Sequence, residues 1–142
     1  MTLLFGIFAF TAVISGGDAR ASGHLSVGVR VHQERYQPLV PVTKNSRALT
    51  PAEQAMPDVV TMMERCITAA GLMGSKAAAR IDCRADEEGV LQLFDVNLKP
   101  NLTGAGRPGR DDQDSLTMIA ARALGWSYGD LLEEVLSTAW RD

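Results

Sequence analysis

The 142-residue chain is poor in the residues on which several classes of protein depend. It has only two cysteines and two histidines, whereas a disulfide framework or a zinc centre needs more ligands at short spacings. Its net charge of −3 offers no basic surface of the kind that nucleic acid binding requires. We therefore expect two buried thiols, at Cys66 and Cys83, and no nucleic acid partner.

Long hydrophobic runs are also absent. The apolar segment from Leu3 to Ile14 is shorter than the roughly 20 residues that span a bilayer, so no membrane association is expected. Ala19 and Ala21 form an A-x-A pattern typical of signal peptide cleavage, but no Lys or Arg precedes the apolar run. A buried strand closed by the turn at residues 16–18 is the favoured interpretation. A signal peptide over residues 1–21 is the alternative to a cytoplasmic location.

The remaining composition, 46% hydrophobic and 22% charged, is that of a globular domain. Residues 24–32 alternate between apolar and polar and predict a second strand, antiparallel to the first. Residues 36–47 contain two prolines and predict a loop or an edge strand. With a hairpin and helices to follow, the order of elements predicts an α+β fold, an antiparallel sheet with flanking helices.

A helix is predicted over residues 50–72. Thr50 can cap it, Pro51 suits its first turn, and Glu53 completes a capping box. Pro57 should kink the helix or delay its regular part. The predicted apolar stripe consists of Met56, Val60, Met63, Ile67 and Ala70.

Two further helices close the chain. The first is predicted from about residue 112 to 124, where Gly125 ends it, and the second follows Ser127, with Asp130 three residues on. The second helix should pack Leu131, Leu132, Val135, Leu136 and Trp140. A loop with three glycines and two arginines, over residues 101–113, precedes both helices.

The segment ARIDCRADEEGVLQLFDVNLKP predicts a hairpin with unusual polar positions. Because side chains alternate along a strand, Arg80, Asp82 and Arg84 share one face. With a turn at residues 86–89, Asp82 lies opposite Leu93 and Arg80 opposite Asp95. Asp82 and Asp95 then become diagonal neighbours roughly 7 Å apart. The matching face of the second strand holds Leu91, Leu93, Asp95 and Asn97.

This arrangement indicates a metal and phosphate site. Two carboxylates and the neutral oxygen of Asn97 suit Mg²⁺, with Mn²⁺ as an alternative. Arg80 would contact a phosphate or a developing oxyanion. The alternative is a surface hairpin with an ion pair between Arg80 and Asp95, which would be worth less than about 1 kcal/mol.

The same segment resembles the metal-binding hairpin of the ATP-grasp ligases, most of all the D-alanine–D-alanine ligase branch. That family has Arg-x-Asp on one strand and Glu-x-Asn-x-x-Pro on the next. Here Arg80-Ile81-Asp82 matches the first half, and the segment from Asp95 through Asn97 to Pro100 matches the second. The similarity continues through the glycine-rich loop into ARALGWSYGDLLEEVLSTA. It covers residues 36–142 best and leaves residues 1–35 as strands outside the match.

The resemblance implies an ATP-dependent ligase that forms an amide through an acyl phosphate. Arg80 would be the catalytic residue, and Mg²⁺ would be held by Asp82, Asp95 and Asn97. The resemblance also implies contacts with ATP and with a small carboxylate or amino-acid-like substrate. The nucleotide contacts would be Lys44, Arg84 and Phe94, and the substrate contacts would be Gly104, Gly106, Arg107 and Arg110.

The chain departs from the family in three ways. Asp95 replaces a glutamate, and Arg84 replaces an apolar residue that lies beneath the adenine. The chain also has only three lysines and no glycine-rich phosphate loop, which is too little for a whole ATP-grasp domain. The expectation is a single partial lobe over residues 1–142, a fragment completed by another chain, a homo-oligomer or a missing segment. One alternative is a non-catalytic, degenerate module whose apolar first strand is an exposed edge. A metal-dependent phosphoester hydrolase is another.

Overall fold

A computed structural model describes residues 7–14, 24–31, 46–104, 106–111 and 113–139. Its sheet has five antiparallel strands in the order β3-β2-β1-β4-β5. The strands are β1 (Ile7–Ile14), β2 (His24–Val31), β3 (Ser46–Ala48), β4 (Ala79–Ala85) and β5 (Leu91–Asn97). The helices are α1 (Pro51–Gln54), α2 (Pro57–Leu72), α3 (Leu116–Ala123) and α4 (Tyr128–Ala139). The predicted α+β class, with an antiparallel sheet and flanking helices, is confirmed.

The first strand lies in the middle of the sheet. Strand β1 pairs along one side with β2, as predicted, and along the other with β4. The alternative in which this apolar strand forms an exposed edge is therefore wrong, because both of its edges are hydrogen-bonded. The edge strands are β3 and β5. Residues 15–23, which include the A-x-A pattern, lie outside the described residues.

The predicted first helix is two helices. Thr50 and Glu53 form the predicted capping box: Glu53 N donates to Thr50 Oγ1 at 3.3 Å, and Thr50 N donates to Glu53 Oε2 at 2.8 Å. This box caps only the four-residue α1, and Pro57 then occupies the first turn of α2. Pro57 thus delays the regular helix, because a proline without an N–H is tolerated in a first turn.

The predicted apolar stripe of α2 is displaced by one residue. Met56 and Val60 are 51% and 41% exposed, so their assignment to the core is wrong. Ala70 is buried as predicted, but the other buried residues of this helix are Val59, Met62 and Cys66. The break before Pro57 starts a new helical phase, and packing on the sheet, rather than spacing from residue 56, sets the buried face.

Helix α2 covers one face of the sheet. Met62 and Cys66 pack there with Ile81 and Cys83 of β4. The two predicted buried thiols are confirmed: Cys66 and Cys83 are free and at most 1% exposed, with their Sγ atoms 3.7 Å apart.

Helix α3 covers the opposite face. Leu116 and Ala120 pack against Val29 of β2. Val29 pairs with Ala9, which pairs in turn with Asp82 of β4. Since directly paired residues of neighbouring strands point to the same face, α3 lies on the face that carries Asp82. The polar part of the β4–β5 hairpin therefore adjoins the start of α3.

The closing helices follow the prediction with shorter bounds. Helix α3 begins after Ser115, whose Oγ accepts from Met118 N at 3.0 Å, rather than near residue 112. Before α4, Ser127 and Asp130 exchange hydrogen bonds, as a capping pair should. Leu131 is buried as predicted, but Leu136 is 57% exposed, and Trp140 lies outside the described residues. Among the described helices, none is long and apolar enough to cross a membrane.

Candidate functional site

The hairpin brings the two predicted acids closer together than simple alternation allows. The β4–β5 ladder pairs Asp82 with Asp95 and Cys83 with Leu93. Phe94 is therefore an extra residue, and the register shift lies between Asp82 and Cys83. The prediction that Asp82 lies opposite Leu93 is wrong. The acids are directly paired, a position in which Cβ atoms are about 5 Å apart.

The bulge also changes which side chains share a face. Leu91 and Leu93 pair with Ala85 and Cys83, on the side of the α2 core. Asp95 and Asn97 pair with Asp82 and Arg80 on the opposite, polar face. The prediction of one common face for all four β5 residues is therefore half wrong. In a regular strand these four odd-numbered residues would share one face. The extra residue, Phe94, moves Asp95 and Asn97 to the other face. The resulting polar face contains Arg80, Asp82, Asp95 and Asn97.

Arg80 is paired with its neighbour along the strand and not with the acid across it. Its Nε and Nη2 donate to Oδ1 and Oδ2 of Asp82 at 3.0 and 3.1 Å. The alternative ion pair between Arg80 and Asp95 is thus wrong, because the bulge places Arg80 opposite Asn97. The side chains of Arg80 and Asp82 are 24% and 17% exposed, so the pair is partly shielded from solvent.

Burial is the main influence on the protonation of Asp82. It raises the pKa of this carboxyl above its ordinary value, and the negative charge of Asp95 adds to the effect. The charge and hydrogen bonds of Arg80 lower the pKa, but only in part. A cation bound between Asp82 and Asp95 would offset the repulsion between their negative charges.

The donor set fits a hard divalent cation. Asp82 and Asp95 supply carboxylate oxygens, and Asn97 supplies an amide oxygen whose other contact is Lys99 N, at 2.9 Å. A carbonyl oxygen has two lone pairs, so this contact leaves one for a ligand. In the described residues, no three His, Cys, Asp or Glu side chains are grouped as metal ligands. Two carboxylates and an amide suit Mg²⁺, which retains waters and shares phosphate oxygens.

A pocket of about 170 Å³ adjoins this face at the start of α3. Arg80 forms one wall, and Arg107 and Arg110 of the glycine-rich loop also line it. Arg107 and Arg110 are held together by a tight turn, in which Arg110 N donates to Arg107 O at 2.8 Å. Three arginines beside a helix N-terminus are an arrangement that suits an anion. The other lining residues are Asn101, Gln113, Asp114, Ser115, Leu116 and Thr117.

The pocket contains polar groups that the sequence did not single out. Asp114 is 3% exposed and forms an ion pair with Arg122 of α3. Within the described part of the chain, Asp114 Oδ1, Thr117 Oγ1 and Arg107 Nε are buried without a hydrogen-bond partner. Ser115 could have been found by its capping position before an apolar run. The pairing of Asp114 with Arg122, eight residues apart, has no signal in the sequence.

The glycines of the loop occupy two different environments. A Cβ on Gly104 would meet Arg122 Nη2 and Met118 Cγ at 3.8 Å, which is ordinary contact. Gly106 has a φ of +83°, in the left-handed region that favours glycine. Of the two predicted substrate contacts, Gly106 but not Gly104 is required by backbone conformation, and neither is among the residues that line the pocket.

The predicted nucleotide contacts lie towards the far end of the hairpin. The Arg84 guanidinium carbon is 4.7 Å from the centre of the Phe94 ring, a cation–π contact. Phe94 is 60% exposed because the bulge turns it out of the ladder. An exposed aromatic ring backed by a cation is a flat surface on which a base can stack. Lys44 lies outside the described residues.

Comparison with known proteins gives a consistent family. No protein-family model matches the chain. It is 38% identical over 101 residues to the D-alanine–D-alanine ligase of Novosphingobium aromaticivorans. The matched region covers 66% of this chain and 28% of that protein. It is 31% identical over 94 residues to that of Neisseria meningitidis serogroup A, 66% of this chain and 26% of that protein. The chain thus spans about a quarter of the curated relatives it matches.

A solved structure shares the fold. The D-alanine–D-alanine ligase of Bacillus anthracis, complexed with ATP, matches with a TM-score of 0.59 at 16% identity. The match covers 98% of this chain and 38% of that protein. This chain is therefore similar in sequence to D-alanine–D-alanine ligases over two thirds of its length and similar in fold to one of them over nearly all of it, the resemblance that its hairpin motif predicted.

Proposed function

We propose that the chain is the C-terminal lobe of an ATP- and Mg²⁺-dependent ligase that joins a carboxylate to an amine. The observation that carries this proposal is the direct pairing of Asp82 and Asp95 next to an arginine-lined pocket. The first feature suits a metal-bound polyphosphate and the second an anionic substrate. Arg80 belongs to both features, because it donates hydrogen bonds to Asp82 and lines the pocket.

Asp82, Asp95 and Asn97 would hold the metal, with Mn²⁺ as a substitute for Mg²⁺. When bound, the ion supplies positive charge that neutralises the phosphate oxygens. Arg84 and Phe94 would stack on the base, and Lys44 would contact a phosphate. The relative from Bacillus anthracis is an ATP complex of the same fold, which supports ATP as the nucleotide.

The arginine-lined pocket would receive the substrates. Arg80 would stabilise the charge that develops on the reacting group, while Arg107 or Arg110 pairs with a carboxylate. Gly104 and Gly106 would let the loop backbone approach the ligand. The relatives are named for D-alanine, so a small amino acid of this kind is the proposed substrate.

The reaction would proceed in two steps. A substrate carboxylate oxygen attacks the γ-phosphorus of ATP, and ADP leaves, which forms an acyl phosphate. An amine then attacks the acyl carbon, and inorganic phosphate leaves as the amide forms. Arg80 would stabilise negative charge in both steps, a role supported by its contact with Asp82 and its position in the lining of the pocket.

The activity would require parts beyond these 142 residues, since the relatives are three to four times longer than the matched region. We propose that a further segment, a complementing chain or a second copy supplies the remaining walls of the site. An ATP-consuming reaction also favours the cytoplasm, where ATP is abundant.

The test is calorimetric titration of the 142-residue chain with ATP, with and without Mg²⁺. Metal-dependent binding is expected, and Asp95→Ala should abolish it. Glu87→Ala is the matched control, because it removes an equal charge from the exposed turn of the same hairpin and should leave binding unchanged. If ATP at millimolar concentration fails to bind in the presence of Mg²⁺, the nucleotide site is refuted and the non-catalytic module is the better description.

A further inference from the structure

Arg80 contacts both oxygens of Asp82, the partly buried acid of the metal face. Nε and Nη2 of Arg80 donate to the two oxygens of Asp82, one each. A metal bound between Asp82 and Asp95 must therefore take at least one oxygen that Arg80 holds. Each oxygen keeps a second lone pair, but Arg80 and the metal are both cations, so their mutual repulsion makes each of them weaken the other's hold on the shared carboxylate.

Arg80 has a second place to go. It lines the anion pocket with Arg107 and Arg110, and its side chain is 24% exposed, so part of it faces solvent. A guanidinium has five N–H donors in a planar fork, which suits a phosphate or carboxylate as well as it suits Asp82. An anion in the pocket and Asp82 therefore also compete, in this case for Arg80.

From this double competition we infer that Arg80 exchanges between Asp82 and the anion pocket, and that this exchange couples metal binding to anion binding. A metal on Asp82 releases Arg80 to the anion, and an anion on Arg80 releases Asp82 to the metal. Such coupling is reciprocal by thermodynamic necessity. The inference rests on the proposed function.

The first experiment measures the affinity for inorganic phosphate in buffer with EDTA, so that no metal takes part. Asp82→Asn should bind phosphate about fivefold more tightly than the unaltered chain, because Arg80 has lost its charged partner; this is the factor expected for a partly exposed ion pair of about 1 kcal/mol. Asp95→Asn is the matched control, since it removes an equal charge from the directly opposite position without freeing Arg80. Equal gains in the two variants would show a general electrostatic effect and overturn the exchange.

The second experiment measures Mg²⁺ affinity by calorimetry. Arg80→Gln removes the competitor and should tighten Mg²⁺ binding about fivefold more than Arg84→Gln does. Arg84 has the same charge on the same strand, but its guanidinium lies over Phe94. Its substitution therefore gives the size of the general charge effect. If Arg80→Gln gains no more than Arg84→Gln, Arg80 does not compete with the metal.

A spectroscopic measurement separates exchange from a change in overall stability. The Nε–H resonance of Arg80, assigned by its loss in Arg80→Gln, should shift when Mg²⁺ is added, and a further shift should follow when phosphate is added. A resonance that does not move under Mg²⁺ would overturn the exchange. If Mg²⁺ binds but none of these effects is seen, the exchange is overturned and the ligase proposal stands. If Mg²⁺ binds to neither the unaltered chain nor any variant, the exchange and the ligase proposal are both overturned.

Discussion

The pairing of Asp82 with Asp95 has opposite consequences for stability and for binding. Without a metal, the two carboxylates repel each other across the β4–β5 ladder. Replacing Asp95 by Asn keeps the shape of the side chain and removes this repulsion. We therefore expect Asp95→Asn to stabilise the metal-free chain while it abolishes stabilisation by Mg²⁺, a combination expected of a functional site.

The magnitude follows from the separation. Two unit charges about 5 Å apart interact by roughly 0.8 kcal/mol in water and by several times more near a protein surface. Salt and the positive charge of Arg80 reduce this value, so about 0.5–1 kcal/mol is expected, or a rise of about 3 °C in Tm. In the unaltered chain, Mg²⁺ at ten times its Kd should add about 1.4 kcal/mol, and in Asp95→Asn it should add nothing.

The pH dependence gives an independent check. The folded-state pKa of Asp82 is raised above its unfolded value, so ionisation of Asp82 opposes folding. This penalty is fully present above the folded pKa and is relieved as the pH falls through it. The advantage of Asp95→Asn should accordingly shrink as the pH falls and Asp82 becomes protonated.

The assay is thermal and urea unfolding, with and without MgCl₂, at ionic strength matched with NaCl. Glu87→Gln removes the same charge from the exposed hairpin turn and should leave the Mg²⁺ response intact. The reasoning is refuted if metal-free Asp95→Asn is less stable than the unaltered chain, or if Mg²⁺ stabilises both equally.

Two further predictions concern the framework. The Arg47 guanidinium, which bonds to Glu53 at 2.7 Å, is the main reason that the pKa of Glu53 falls to about 2. Glu53→Gln should therefore cost about 1 kcal/mol of unfolding free energy at neutral pH. Because the pKa of Glu53 is lower in the folded chain than in the unfolded chain, this difference should be lost as the pH falls from about 4.5 to about 2. Urea unfolding at several pH values measures it, and a pH-independent difference would contradict the assignment. Met62→Ala should cost about 3 kcal/mol of unfolding free energy, since Met62 is 1% exposed in the core. The control Val60→Ala should cost less than about 1 kcal/mol. Equal losses would contradict the buried face of α2 described above.

Much of the site could be read from the hairpin sequence, because strand alternation is local. The alternation assigned Arg80 and Asp82 to one face, and the structure buries Ile81, between them, and Cys83, beyond them, on the other. The register of the partner strand was predicted wrongly, because the prediction contained no bulge at Phe94. A hint was present nonetheless, because Leu91 and Asp95 have the same parity and yet need opposite environments, and only an extra residue between them satisfies both.

The sequence by itself determined the elements and their caps, the class of fold, and the motif that relates the chain to the D-alanine–D-alanine ligases. These properties depend on neighbours within a few positions along the chain: a Thr50–Glu53 box, a turn at a glycine, a polar row on one face. Only the tertiary structure decided the bulge at Phe94, the buried face of α2 and the pairing of Asp114 with Arg122. Each of these depends on which distant surfaces pack together, and the free energy of that packing is not encoded in any local spacing.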